Sequence, residues 1–140
     1  MEKSLSNQTA AMYSPLVLAY LGDALYELIV RERIVRRGNC QVNKMHHGAV
    51  RYVKAAAQAR IARYLEEQNL LEESEKAALR RGRNAHSKTT ARNASVIDYR
   101  MATALEALLG YLWLSGERER MKELVAVGIN WLEQEEKIGE

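Results

Sequence analysis

Two acidic residues stand near the middle of long apolar segments. Asp23 lies in LAYLGDALYE at positions 18–27, and Glu106 is the one charged residue of MATALEALLGYLWL at positions 101–114. A buried carboxylate is costly unless it is paired, protonated or bound to a cation. Each apolar segment therefore needs something that stabilises its acid.

Two carboxylates that face each other repel, and a proton or a cation between them removes the repulsion. Oxygen ligands suit a hard divalent cation such as Mg²⁺, with Mn²⁺ as a substitute. Mg²⁺ takes one or two carboxylates and keeps several waters, one of which can serve as a nucleophile. Asp23 and Glu106 are thus predicted to form a hydrolytic metal site, although either acid alone could instead be hydrogen-bonded to a tyrosine.

The other titratable residues favour less specific roles. Glu27 precedes Arg31 by four residues, a spacing that predicts an ion pair on one helix face. The three histidines lie in basic regions, which favours surface or phosphate-facing positions over metal ligation. The lone Cys40 supports neither an internal disulfide nor a cysteine-based zinc site, as expected for a cytoplasmic protein.

Positive charge is concentrated in two acid-free segments. Residues 33–65 contain eight Arg or Lys and residues 76–97 contain six, whereas seven Glu oppose four Lys or Arg after residue 115. This segregation suggests a surface that faces a polyanion, although a solvated helix face would give the same pattern. The segment RGRNAHSKTTARNAS at 81–95 has no large apolar residue and is predicted to be an exposed loop.

The elements that must position the two acids are all predicted to be helices. Pro15 is the only proline, and no stretch alternates apolar and polar residues long enough to form a strand. Ser14 and Pro15 predict the start of the first helix, and Gly38 its end. One domain over 1–140 is expected, with helices over 15–37, 41–68, 71–81, 96–115 and 117–137. The polar N-terminus is unlike a signal peptide, and no apolar run is long enough to cross a membrane.

The first long helix is apolar on nearly every side. Its leucines opposite Asp23 are expected to face the core, namely Leu18, Leu21, Leu25 and Leu28. The side that carries Asp23 is also largely apolar, with Leu16, Ala19, Tyr20, Tyr26 and Val30. A helix that is apolar nearly all round is buried nearly all round, so we predict that this helix also forms the interface of a homodimer.

These segments resemble the endonuclease domain of the ribonuclease III family. YLGDALYE at 20–27 is similar to the signature helix of that domain, and ATALEALLGYLWL at 102–114 is similar to its second acidic helix. The order of the two motifs and the basic segment RRGRNAHSKTTARNAS at 80–95 resemble the Mini-ribonuclease III branch. The chain ends soon after the last expected helix, so the double-stranded-RNA-binding domain of full-length ribonuclease III is not expected.

The resemblance implies an all-α, homodimeric bundle that cleaves double-stranded RNA with Mg²⁺, one active site in each subunit. It also implies a role in maturation of the large-subunit (23S) ribosomal RNA precursor in bacteria. Asp23 and Glu106 match the two central acids of the family, as catalytic residues and metal ligands. Two other family acids are replaced by Ala19 and Thr103, as in the Mini branch, which leaves the number of metal ions open.

RNA of A-form geometry would be recognised by shape, through phosphates and 2′-hydroxyls. The residues expected to contact it in the basic loop are Arg81, Arg83, Asn84, His86, Lys88 and Arg92. Further candidates fall on one stripe of the second helix, namely Lys44, Arg51 and Lys54, and the stripe continues to Gln58. The alternatives are a catalytically inactive helical module that binds structured RNA and a structural bundle with incidental charge. The presence of both acids favours the nuclease.

Overall fold

Seven helices make up the part of the chain that the computed structural model describes, residues 2–85 and 95–138. They are α1 (Asn7–Ala11), α2 (Pro15–Val35), α3 (Val42–Val53), α4 (Ala55–Glu67), α5 (Glu73–Asn84), α6 (Val96–Leu114) and α7 (Arg118–Ile138). No strand occurs within these ranges, so the predicted all-α fold is confirmed. Among the same residues, no helix has both the length and the apolar character needed to span a membrane.

The apolar helix α6 lies at the centre of the bundle, surrounded by α2, α4 and α5. It buries eleven residues, mostly leucine and alanine, on all of its sides. Each fully buried leucine contributes roughly 1.5–3 kcal/mol to stability. The side chain of Ser95 begins the helix by accepting a hydrogen bond from the backbone N–H of Asp98. Glu106 therefore lies on the helix that the rest of the fold holds most firmly.

Two glycines let α2 and α6 cross with their backbones in close contact. A Cβ added to Gly22 would lie 1.7 Å from the backbone oxygen of Glu106. A Cβ added to Gly110 would lie 2.1 Å from the backbone oxygen of Leu18. Neither position can carry a side chain at this separation, so the glycine of the LGDAL motif is required by the crossing.

The predicted second helix is wrong in one respect, because it is divided into α3 and α4. Lys54 has an extended backbone, with φ −62° and ψ 150°, and separates the two helices. The amide of Gln58 donates a hydrogen bond to the carbonyl of Val53 at this break. At the next helix, α5 continues to Asn84, so the first four residues of the predicted loop are helical instead.

The residues that α2 buries and exposes differ in part from the prediction. Leu18 and Leu25 are buried as predicted, but Leu28 is 60% exposed because no described element covers that side. Tyr26 and Val30 were expected at an interface between subunits and are instead buried within the subunit. The reason is that α3 packs on their side of α2, where the Tyr26 hydroxyl donates to a backbone carbonyl of α3.

A buried ion pair joins α5 to α7. Glu75 is 1% exposed and accepts hydrogen bonds from two guanidinium nitrogens of Arg120, at 2.9 and 3.0 Å. It also accepts one from the backbone N–H of Glu72, which completes a capping box at the start of α5. Burial alone would raise the pKa of Glu75, but the hydrogen bonds and charge of Arg120 and the Glu72 backbone lower it.

Candidate active site

Asp23 and Glu106 lie side by side where α2 and α6 cross. Asp23 follows Gly22, the residue in contact with the Glu106 backbone, and its side chain hydrogen-bonds with the Glu106 carboxyl group. Burial, then the charge of Asp23 and this hydrogen bond, raise the pKa of Glu106 to about 8. Near neutral pH, and without a cation, Glu106 is therefore largely protonated.

The two acids differ in their access to solvent. Glu106 is half-buried, but Asp23 is exposed in the single subunit, so the expectation that Asp23 is buried is wrong for one chain. No described element of the chain covers the outer side of α2, which is where Asp23 points. The pair can therefore be reached by a ligand from this side.

The donor set fits a single hard cation. Two carboxylates in contact, one of them protonated for lack of a positive partner, are the ligands that Mg²⁺ prefers. Within residues 2–85 and 95–138, no group of three or more His, Cys, Asp or Glu side chains is placed to hold a metal. The described part of the site thus offers one pair of acids, and waters would complete the coordination of a bound cation.

Comparison with known families identifies the domain that contains this crossing. The model of the Ribonuclease III domain matches residues 16–117, which include both α2 and α6. The chain belongs to the ribonuclease III domain family. It is an endoribonuclease, and the resemblance seen in the sequence is confirmed.

The relatives of this ribonuclease III domain cover nearly its whole length. Mini-ribonuclease 3 of Thermoanaerobacter sp. is 45% identical, over 93% of this chain and 90% of its own. Mini-ribonuclease 3 of Symbiobacterium thermophilum is 46% identical, over 86% of this chain and 91% of its own. A crystal structure of a Fusobacterium nucleatum protein is 33% identical and superimposes with a TM-score of 0.76, covering 85% of this chain and 93% of that one.

Two positions at which the resemblance to the wider family predicts acids offer no ligand in this chain. Ala19 has no polar side chain and is buried against the core. The Thr103 hydroxyl donates a hydrogen bond to the backbone carbonyl of Tyr99 at 3.0 Å, within its own helix. The site is therefore less acidic than the wider family pattern.

Two smaller predictions about acidic residues of this ribonuclease III domain concern a tyrosine partner and the pair of Glu27 and Arg31. The Tyr26 hydroxyl donates to the backbone carbonyl of Tyr52 at 2.6 Å, so it is not the partner of either acid. Burial, and then the charges of Tyr52 and Glu106, raise the pKa of Tyr26. The predicted pair of Glu27 and Arg31 is confirmed, with 2.7 Å between the guanidinium and the carboxylate.

Gln58 is a residue of the site that the sequence did not indicate. Its position on a basic stripe predicted an exposed side chain, but it is 4% exposed and lies beside Glu106. The prediction fails because the extended backbone of Lys54 changes the direction in which α4 presents its residues. Nothing in the sequence KAAAQA indicates such a break, since it contains neither glycine nor proline.

The candidate RNA contacts of the second helix fall on α3 and on the break that follows it. Lys44 and Lys54 are exposed. Arg51 forms an ion pair with Glu136 of α7, and its guanidinium lies 5.0 Å from the centre of the Tyr52 ring. Arg51 therefore also links α3 to the acidic C-terminal helix.

The candidate RNA contacts of the basic segment begin on α5. Arg81 donates hydrogen bonds to two backbone carbonyls at the α1–α2 connection. Arg83 lies 3.6 Å from a carboxylate oxygen of Glu66, and Asn84 is exposed. Three further candidates lie outside the described residues, namely His86, Lys88 and Arg92.

Proposed function

We propose that this chain is a Mg²⁺-dependent endonuclease that cleaves double-stranded RNA at the Asp23–Glu106 pair. The observation that carries the proposal is the contact between two carboxylates from different helices, at a crossing open to solvent. Membership of the ribonuclease III domain family supports the reaction, and similarity to Mini-ribonuclease 3 supports the choice of substrate.

Asp23 and Glu106 would hold the cation between them. The chemistry supplied by bound Mg²⁺ is the activation of water and the stabilisation of charge on the reacting phosphate. Glu106 gives up the proton that it holds in the metal-free protein, because a positive partner removes the reason for its raised pKa. Asp23, on the open side, presents its carboxylate where the RNA backbone approaches.

The proposed substrate is duplex RNA, with the large-subunit (23S) ribosomal RNA precursor as the natural target. The exposed lysines on and after α3, Lys44 and Lys54, can contact phosphates without reading bases. The ribosomal target is supported by the resemblance to the Mini-ribonuclease III branch. Mapping the 5′ ends of large-subunit ribosomal RNA in cells without this protein tests it, because unprocessed ends are expected to accumulate.

We also propose that a second copy of the chain covers the outer side of α2. Tyr20 is 85% exposed and Leu28 is 60% exposed, and Leu16 and Val17 lie on the same exposed surface. Large apolar side chains clustered on one helix indicate an interface more often than a free surface. Asp23 lies within this surface, so dimer formation would bring two active sites close together.

The test of the reaction is a gel assay of a long RNA duplex incubated with the protein, in Mg²⁺ or in EDTA. Cleavage is expected only with Mg²⁺, and Asp23→Asn or Glu106→Gln should abolish it, because an amide cannot supply the negative charge that the cation requires. Both variants should still bind the duplex. Glu67→Gln, at an exposed acid at the end of α4, is the matched control and should cleave normally.

Turnover by Asp23→Asn or Glu106→Gln at the rate of the unmodified protein would contradict the assignment of the site. Binding without cleavage by the unmodified protein in Mg²⁺ would instead support the alternative, a module that binds structured RNA.

A further inference from the structure

Gln58 carries a buried amide beside the catalytic acids. It belongs to α4, which packs against α6, and is 4% exposed. A buried polar group left without a hydrogen bond costs about 1–3 kcal/mol. An alanine or leucine would fill such a position without this penalty, so the amide requires a specific reason.

The orientation of this amide is fixed by the break between α3 and α4. Nε2 of Gln58 donates a hydrogen bond to the carbonyl of Val53, at 2.9 Å. An oxygen cannot take that place, because two acceptors would face each other. The amide oxygen, Oε1, is therefore on the other side, where it is buried and has no hydrogen-bond partner among the described residues.

The same amide lies close enough to Glu106 to affect the pKa of that carboxyl group. Burial, the charge of Asp23 and the hydrogen bond with Asp23 raise the pKa of Glu106, and a hydrogen bond from Gln58 opposes the rise. Once Glu106 has lost its proton to become a metal ligand, its carboxylate cannot satisfy the unpartnered Oε1, since both are acceptors. A cation, or a water held by a cation, can satisfy it. Three oxygen-bearing side chains thus meet at this crossing without a positive partner.

We infer that Gln58 is a positioning residue of the active site, which orients the Glu106 carboxylate and directs a neutral oxygen towards the bound cation or its water. The inference rests on the proposed Mg²⁺-dependent function. An amide oxygen adds to the coordinating environment without adding a third like charge beside Asp23. It therefore suits a site in which two other family acids are replaced by Ala19 and Thr103.

The experiment measures thermal unfolding of the RNA-free protein as MgCl₂ is added after EDTA treatment and dialysis. A ligand that binds the folded state stabilises it by RT ln(1 + [L]/Kd), so a fit of Tm against Mg²⁺ concentration gives the concentration of half-occupancy, the Mg²⁺ midpoint, without any activity assay. Gln58→Leu removes the amide at similar volume. Gln68→Leu, at an exposed glutamine after α4, is the matched control.

The unmodified protein and Gln68→Leu should show the same Mg²⁺ midpoint, and Asp23→Asn should show no rise in Tm. Gln58→Leu should move the midpoint to about tenfold to hundredfold higher Mg²⁺, the usual effect of losing a residue that supports metal ligands. Should Gln58→Leu fail to fold, Gln58→Asn, which shortens the side chain, replaces it with the same expected displacement.

A purely structural role for Gln58 would give a different result. Gln58→Leu would then lower Tm by the same amount at every Mg²⁺ concentration and keep the midpoint unchanged, which overturns the inference. Failure of the proposed function is distinguished by the unmodified protein, because in that case its Tm would not respond to Mg²⁺ at all.

Discussion

The two carboxyl groups of the proposed active site are neighbours but have different environments. Asp23 is exposed on the outer side of α2, whereas Glu106 is half-buried beside Gln58. Burial and the proximity of Asp23 raise the pKa of Glu106 to about 8, so this residue holds the proton of the metal-free pair. Binding of the proposed cation would therefore release this proton from one carboxyl group of α6.

This proton makes the stability of the metal-free protein depend on pH. The pKa of Glu106 is about 8 in the folded state and near the ordinary value of 4.5 when unfolded, so the folded state binds more protons between these values. The stability that this contributes is complete below about pH 4.5 and is lost as pH rises to about 8. Glu106→Gln lacks this titration and should gain stability relative to the unmodified protein over that range.

Thermal unfolding of both proteins in EDTA, at pH 5 and at pH 9, measures this effect. The difference in Tm between Glu106→Gln and the unmodified protein should shift in favour of the variant at pH 9. A difference that is the same at both pH values would show that Glu106 titrates normally.

At the scale of the elements, the site depends on how closely α2 and α6 approach. The backbone oxygens of Glu106 and Leu18 fill the space where side chains of Gly22 and Gly110 would lie. Because the opposing atoms are backbone, they cannot move aside as the end of a flexible side chain can. The contact between Asp23 and Glu106 is a direct consequence of this separation.

Gly22→Ala should therefore force the helices apart. Overpacking a core typically costs about 1–3 kcal/mol, and a clash with backbone belongs at or above the upper end of this range. Gly48→Ala is the matched control, because the nearest atom to its Cβ would be 3.8 Å away in the middle of α3. That change should stabilise the protein by about 0.5–1 kcal/mol. Urea unfolding of the two variants measures both effects, and a stable Gly22→Ala would contradict the crossing.

The sequence predicts a helix well where the residues that determine its limits and its burial all lie at or within that helix. Ser14 and Pro15 mark the start of α2, and the apolar character of α6 predicts its burial. The sequence does not predict features whose cause lies in another element. Gly22 is required because the backbone of α6 leaves no space for a side chain there, and the burial of Gln58 follows from the extended backbone at Lys54. The exposure of Leu28 likewise depends on which side of α2 the helix α3 covers.

At the scale of the whole molecule, positive charge is divided between structural pairs and open surface. Arg51 and Arg83 lie beside acids of other helices, whereas Lys44 and Lys54 are exposed. Exposed lysines keep their charge available for phosphates, and binding to phosphates releases counterions. Among the described candidates named from the sequence, we therefore expect these two lysines to contribute most to RNA binding.

Changing Lys44 and Lys54 together to alanine should weaken binding to many duplex sequences alike. The slope of log affinity against log salt should fall by roughly 0.7–0.9 for each phosphate that the variant no longer neutralises. Filter binding in the Asp23→Asn background measures this without cleavage, with Lys122→Ala on α7 as the control. Unchanged affinity and slope in the double variant would assign RNA binding to the basic segment at 81–95 instead.

The last prediction concerns the association of two subunits through α2. Val30 is 1% exposed, so an acid at Val30 would disrupt the core and is a poor test of association. Tyr20→Asp changes a side chain that is 85% exposed in one subunit, and such surface changes usually alter stability by only about 0.5 kcal/mol. In a dimer, the same acid would be buried against apolar side chains and beside Asp23, which is unfavourable. Light scattering should therefore give twice the subunit mass for the unmodified protein and the mass of a folded monomer for Tyr20→Asp. Leu70→Asp, at an exposed position outside α2, is the control and should remain dimeric. A monomeric unmodified protein would contradict the proposed interface, and so would a Tyr20→Asp variant that remains dimeric.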